Sequence, residues 1–216
     1  SAALVKFLCS AIANTYFNCV IVIIIDLDYK YIKTIHYNYD KLNELCFKFV
    51  LTKTIIDMTL NSIGLETKAM KEIANELNTL LANFQIYYQN LRGIHWNIKG
   101  KRFFELHPKF EELYTDANLK VDEIAERILT LGATPLHTFE DYSKAAKVPV
   151  GKNISEDEKA VVLIVDSLSE LLKIERQILN DSSDANDEGT NSMMSDFITQ
   201  QEKTVWMMKA WLGESV

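Results

Sequence analysis

Five residues have the types and spacing to hold a metal ion: His95, His107, Glu111, Asp122 and Glu126. His107 and Glu111 are four apart, and so are Asp122 and Glu126. On a helix, residues four apart lie about 40° from one another around the axis, so each pair can chelate from one face. Imidazole with carboxylate is the donor set for iron and related divalent ions, whereas thiolates suit zinc or copper(I). The eleven residues from Glu111 to Asp122 add a rotation of only about 20° beyond full turns, but a rise of about 16 Å. The two pairs therefore share a face, yet one subunit cannot close all four groups around one ion. If this helix packs antiparallel against a copy of itself about a two-fold axis, the His107/Glu111 end of one meets the Asp122/Glu126 end of the other, and every contact occurs twice. The axis then crosses near Asp116 and Ala117. His95 ends the preceding helix, and a tight turn brings it to His107.

Each group also has a bland reading. A His-x-x-x-Glu pair is often a surface hydrogen bond, and Asp122 and Glu126 have Lys120, Arg127 and Arg176 as ion-pair candidates. Trp96 reads as interface packing, with a supporting role behind His95. His137, beside Pro135, reads as a crossover histidine. Trp206, Met207, Met208 and Trp211 read as core and contact residues of the last helix.

Four long amphipathic helices must position these groups. The first spans about 66–97, with an apolar stripe at Ile73, Leu77, Leu80, Phe84, Tyr87, Leu91 and Ile94 in steps of three and four. The second spans about 104–131, with Leu106, Phe110, Leu113, Ala117, Ile124 and Ile128 inward, Pro108 in its first turn and Gly132 as its cap. A crossover at 133–154 carries Pro135, Pro149, Gly151 and a short helix at about 139–147. Ser155 reads as the N-cap of a third helix that ends near Leu179. The tract 181–189 reads as an acidic turn, and a fourth helix spans about 190–212. Short, long and short connections suit an all-α, ferritin-type four-helix bundle better than a simple up-down-up-down one, without being specific to it.

The composition divides the chain. Residues 1–57 contain no Gly, Pro, Arg, Gln, Met or Trp but all three cysteines, and Ile, Lys, Asn, Tyr and Phe make up 28 of the 57. They read as an extension outside the bundle: upstream sequence translated with the product, a disordered segment, or an anchor built on the 19-residue uncharged run 7–25. Residues 58–216 form the bundle and carry 17 basic and 25 acidic side chains. That balance argues against nonspecific affinity for nucleic acid and suits attraction of cations.

The stretch 90–100 (NLRGIHWNIKG), then FFELH at 103–107, FEELY at 110–114, DEIAERI at 122–128 and EKTVWMM at 202–208 resemble the Dps family (DNA-binding proteins from starved cells) in order and spacing, over nearly all of 58–216. The resemblance implies a cytoplasmic, hollow dodecamer with ferroxidase centres between two-fold-related subunits. His95, His107 and Glu111 would come from one subunit, Asp122 and Glu126 from the other. It implies oxidation of Fe(II) by hydrogen peroxide or oxygen, storage of ferric mineral, and protection of DNA from oxidative damage. Glu111 departs from the pattern, since many members have Asp there. The Glu-x-x-His motifs of larger ferritins are absent. Members that bind DNA directly tend to have a mobile Lys-rich tail. Here 58–76 mixes Lys68 and Lys71 with Glu66, Glu72 and Glu76, and the C-terminus is not basic, which argues against the alternative of a shell that mainly compacts DNA. A closed shell needs entry channels. Asp184, Asp187 and Asp196, with Asp181 and Glu188, are the expected lining where three subunits meet, the rival reading being a solvated acidic turn that starts the last helix.

Overall fold

The computed structural model describes residues 59–216. The expectations for 1–57, including the anchor, lie outside the described residues. Four long helices and one short one follow in order: α1 (Thr67–Asn97), α2 (Phe103–Thr130), α3 (Phe139–Ala145), α4 (Asp157–Asp184) and α5 (Glu188–Leu212). No helix among the described residues is long and apolar enough to cross a membrane. The predicted stripes are the core: Ile73, Leu77, Leu80, Phe84, Leu91, Phe110, Ile124 and Ile128 are all buried. Phe84 sits edge-on to Tyr87 and to Phe197 of α5, with ring centres 6.4 and 6.0 Å away. Apolar stripes on neighbouring helices thus close one interior, which is how amphipathic helices gain most of their stability. α1 packs on α2, α3 and α4, and α4 packs on α5.

Helix ends follow local chemistry. Glu66 caps α1 by accepting from the amides of Lys68 and Ala69. After α2, Gly132 takes a φ of 87°, and the Ala133 amide reaches back to the Ile128 carbonyl, the left-handed stop that favours glycine. Pro108 lies in the second turn of α2 and not the first, forgoing a bond to the carbonyl of Phe104. Ser155 does not cap the third long helix. Glu156 holds that position with no side-chain bond, while the Ser155 carbonyl accepts from the Lys99 amide and pins the α1–α2 turn.

The tract 181–189 is not a turn. α4 runs on through Asp184, with Ser182 buried, and α5 already begins at Glu188, so only residues 185–187 reverse the chain. Asn186 supplies the left-handed step with φ 56°, and Asp187 caps α5 by accepting from the Thr190 amide. Polarity here marks the outer face of a helix, which a run of Asp and Ser disguises as a loop.

Three asparagines of α1 hold the crossover. Asn78 donates to the Thr134 carbonyl and accepts from the Leu136 amide. Asn83 accepts from the amides of Lys147 and Val148 at 2.7 and 2.9 Å. Asn90 donates to the Pro149 carbonyl and accepts from the Gly151 amide at 2.7 and 2.8 Å. Asn83 is completely buried, so Asn83→Ala strands two backbone donors. This replacement is expected to destabilise the bundle by about 3 kcal/mol, measured by denaturant unfolding.

Candidate metal centre

α1 and α2 are joined by residues 98–102 alone. The Ile98 amide bonds to the Ile94 carbonyl, and the Phe103 amide to that of Gly100. This turn lays His95 against His107. The His95 Nδ1–H donates to the His107 backbone carbonyl at 2.8 Å, and the His107 Nδ1–H donates to the His95 carbonyl at 2.9 Å. A carbonyl only accepts, so both rings carry a hydrogen on Nδ1, which leaves Nε2 as the atom that could offer a lone pair to a metal. Backbone carbonyls orient metal-binding histidines in this way. The rings stack 3.8 Å apart at 20°.

Two further aromatics frame the pair. Phe103 stacks on His107 at 4.8 Å, and Tyr114 sits edge-on to His95 at 5.3 Å. Desolvation and then the charge of Glu111 raise the Tyr114 phenol above its ordinary pKa. Tyr114 thus stands between His95 and Glu111. Sequence reasoning missed both aromatics, although Phe103 is four residues before His107 and Tyr114 seven after it, on the same helical face. His95 is only 8 % exposed, while Glu111 is exposed.

Asp122 and Glu126 are also exposed, and neither side chain makes a hydrogen bond or ion pair among the described residues. Their candidate partners are engaged elsewhere: Lys120 with Asp116 and Gln200, Arg127 with Asp187, Arg176 with Glu202. Among the described residues no three His, Cys, Asp or Glu side chains gather to hold an ion. One subunit supplies two oriented imidazoles with Glu111 at one end of α2, and an unpaired carboxylate pair further along the same face. Trp96 lies outside this cluster, 58 % exposed, with the Arg92 guanidinium 4.7 Å over its ring. His137 is exposed and bonds the Pro135 carbonyl. Met208 is buried, Trp206 and Met207 are exposed, and Trp211 donates to Glu105.

The acidic residues of the expected channel have three different environments. Asp184 and Asp181 border a cavity of about 340 Å³ with Glu72 and Glu76 of α1. Burial, and then the charge of Asp181, push Glu76 up to about 7. Asp196 borders a separate cleft of about 430 Å³ with Asp116, Lys120, Glu123 and Gln200. Asp187 is 1 % exposed, and its carboxylate is taken up by Arg127 and Thr190.

A Ferritin-like domain model matches residues 74–215. An uncharacterized protein of Haemophilus influenzae is 48% identical over 71% of this chain and 96% of its own length. The DNA protection during starvation protein of Porphyromonas gingivalis is 39% identical, over 74% of this chain and 98% of that protein. The chain belongs to the Dps family. The crystal structure of the Dps protein from Vibrio cholerae, described as a member of a broad superfamily of ferritin-like diiron-carboxylate proteins, superposes with a TM-score of 0.70 at 52% identity, covering 71% of this chain and 97% of that one. The Dps fold therefore includes the helices that carry all five residues.

Because each imidazole is anchored on the other's backbone, His95→Ala removes a ring but not the acceptor of His107. In metal-free protein, ¹⁵N NMR is expected to find Nδ1 protonated at both histidines, and His107 unchanged in that respect in His95→Ala. Affinity for a divalent probe such as Co(II) should fall roughly 10–100-fold or more in that variant.

Proposed function

We propose that this Dps-family chain is a cytoplasmic ferroxidase and iron store that works as a dodecameric shell, its oxidation sites shared between two-fold-related subunits. The carrying observation is the reciprocal His95–His107 clasp, which fixes two Nε2 lone pairs beside Glu111, with the unpaired Asp122 and Glu126 on the same face of α2. A second copy, antiparallel along α2 with the axis at the level of Asp116 and Ala117, supplies the missing carboxylates to each half. The donor set suits iron.

Fe(II) is the substrate. Two Fe(II) ions give one electron each to one hydrogen peroxide, whose O–O bond breaks. Ferric oxyhydroxide forms inside the shell, and protons are released. Delivering both electrons together avoids a hydroxyl radical, which protects DNA without touching it. The imidazoles bind as neutral donors, already in the required tautomer. Glu111, Asp122 and Glu126 offset the metal's charge, and Phe103 and Tyr114 keep the rings from turning. Dioxygen is the other oxidant with suitable chemistry. Direct DNA binding is disfavoured by the acidic balance of 58–216. Asp184 and Asp196 line the iron route in this reading. Asp187 serves as a cap and ion-pair partner and is left out of the set to be replaced.

Complementary variants test the sharing. Neither His95→Ala/His107→Ala nor Asp122→Ala/Glu126→Ala shells should oxidise Fe(II) quickly. Dissociated and reassembled together at random, they should regain about a quarter of the wild-type sites, because half the dimers are mixed and each mixed dimer has one intact site. Stopped-flow absorbance of the ferric product reads this, and no recovery in verified mixed shells rules out sharing.

The second prediction concerns entry. Asp184→Asn/Asp196→Asn shells should oxidise Fe(II) several-fold more slowly at limiting concentration and at the wild-type rate at saturation, since only the local cation concentration is lowered.

A further inference from the structure

The interior of the bundle holds an acid that the metal chemistry does not use. Glu175 of α4 is 0% exposed, and Gln201 of α5, which faces it, is 4% exposed. The Gln201 Nε2 donates to Glu175 Oε1. The other two oxygens of the pair, Glu175 Oε2 and Gln201 Oε1, have no hydrogen-bond partner. Two buried acceptors thus lack a donor, which native interiors rarely tolerate.

The surrounding groups do not supply one. From α1 the facing group is Tyr87, which feels the charges of Asp116 and Glu175. From α2 it is Lys120, buried in its own right, whose ammonium donates to Asp116 and Gln200. From α4 itself it is Arg176, which reaches outward to Glu202. Lys120 and Arg176 act on Glu175 through charge alone. A metal cation is a poor occupant beside the Lys120 ammonium. A single hydrogen on Glu175 Oε2 provides the missing donor. A carboxylic acid and a primary amide have matching faces, each offering one donor and one acceptor.

We propose that Glu175 is protonated in the folded bundle and closes a two-hydrogen-bond ring with Gln201, Oε2–H donating to the amide oxygen, as a proton-operated latch between α4 and α5. When the proton leaves for a base in solution, one of the two bonds is lost and a buried carboxylate must be solvated or must draw in Lys120. Burial pushes Glu175 up to about 7, against the opposing pull of the Gln201 hydrogen bond and of Lys120 and Arg176. The ordinary value of 4.5 applies to the unfolded chain. The latch therefore contributes fully below that value, and its contribution is lost as pH rises towards and through about 7. This inference stands whether or not the shell oxidises iron.

The experiment is an infrared titration of the full chain from about pH 5.5 to about pH 8.5, in a Glu76→Gln background because Glu76 also titrates near 7. The expected result is a protonated-carboxyl stretch that declines through neutrality and is missing when Glu175→Gln is added. In parallel, the melting temperature relative to Glu175→Gln should fall over the same range. If Glu175→Gln does not fold, the titration of the Glu76→Gln protein, repeated with ¹³C-labelled glutamate, decides alone. No such stretch at the acid end means an ionised Glu175, with water as the donor, and overturns the proposal. So does a stretch that persists undiminished to the alkaline end, or a melting difference that does not change with pH.

Discussion

Two hydrogen bonds, from each of His95 and His107 to the other's backbone carbonyl, govern the arrangement of everything else at the candidate centre. They close the end of α1 onto the start of α2, so they set the register in which those helices pack. The same bonds choose the tautomer of both rings. Since α2 is one continuous helix, fixing its first turns also fixes where Asp122 and Glu126 stand, about 16 Å along the axis from Glu111. Packing, tautomer and placement of the second carboxylate pair therefore share one cause. The aromatic rings of Phe103 and Tyr114 add to it by crowding the imidazoles from other directions.

Periodicity made the helices legible: apolar steps of three and four mark the stripes of α1 and α2, and nearly all those residues are buried. The spacing of His107, Glu111, Asp122 and Glu126 likewise places these four side chains on one face of α2. What periodicity cannot convey is which polar residues turn inward. Asn83, Asn90, Lys120, Glu175 and Gln201 occupy core-facing positions, but residue type alone assigns them outward. The acidic tract was misread for the opposite reason. Its Asp and Ser residues resemble a loop, yet α4 continues through it to Asp184, with Ser182 buried and Asp184 exposed. Asp187 looks in sequence like one more acid in a row. Only the approach of Arg127 from α2 distinguishes it, and that contact joins residues 60 apart.

The bundle thus distributes its carboxylates among distinct tasks by burial. Those left exposed and unpaired on α2 are free to bind cations. Asp187, fully enclosed, is matched to an arginine and a helix terminus, the arrangement in which a buried charge is best tolerated. Glu175, enclosed with an amide and no direct cation, is the case where protonation relieves the burial. Gly189 completes the Asp187 arrangement, for a Cβ there would come within 2.9 Å of the Arg127 guanidinium.

The three asparagines of α1 have a bearing on how the crossover could change its sequence. Asn78, Asn83 and Asn90 grip only main-chain amides and carbonyls of the segment they hold. The path from Thr134 to Gly151 is therefore anchored to α1 by main-chain bonds at three places, while Tyr142 and Val148 add buried side chains of their own. Exposed positions there, such as Glu140, Ser143 and Lys144, can accept new residues without moving the chain. Gly151 is constrained as well, since a Cβ would lie 2.5 Å from Leu163. A segment whose main chain is gripped in this way can diversify its outer surface while the helices on either side keep their relative placement.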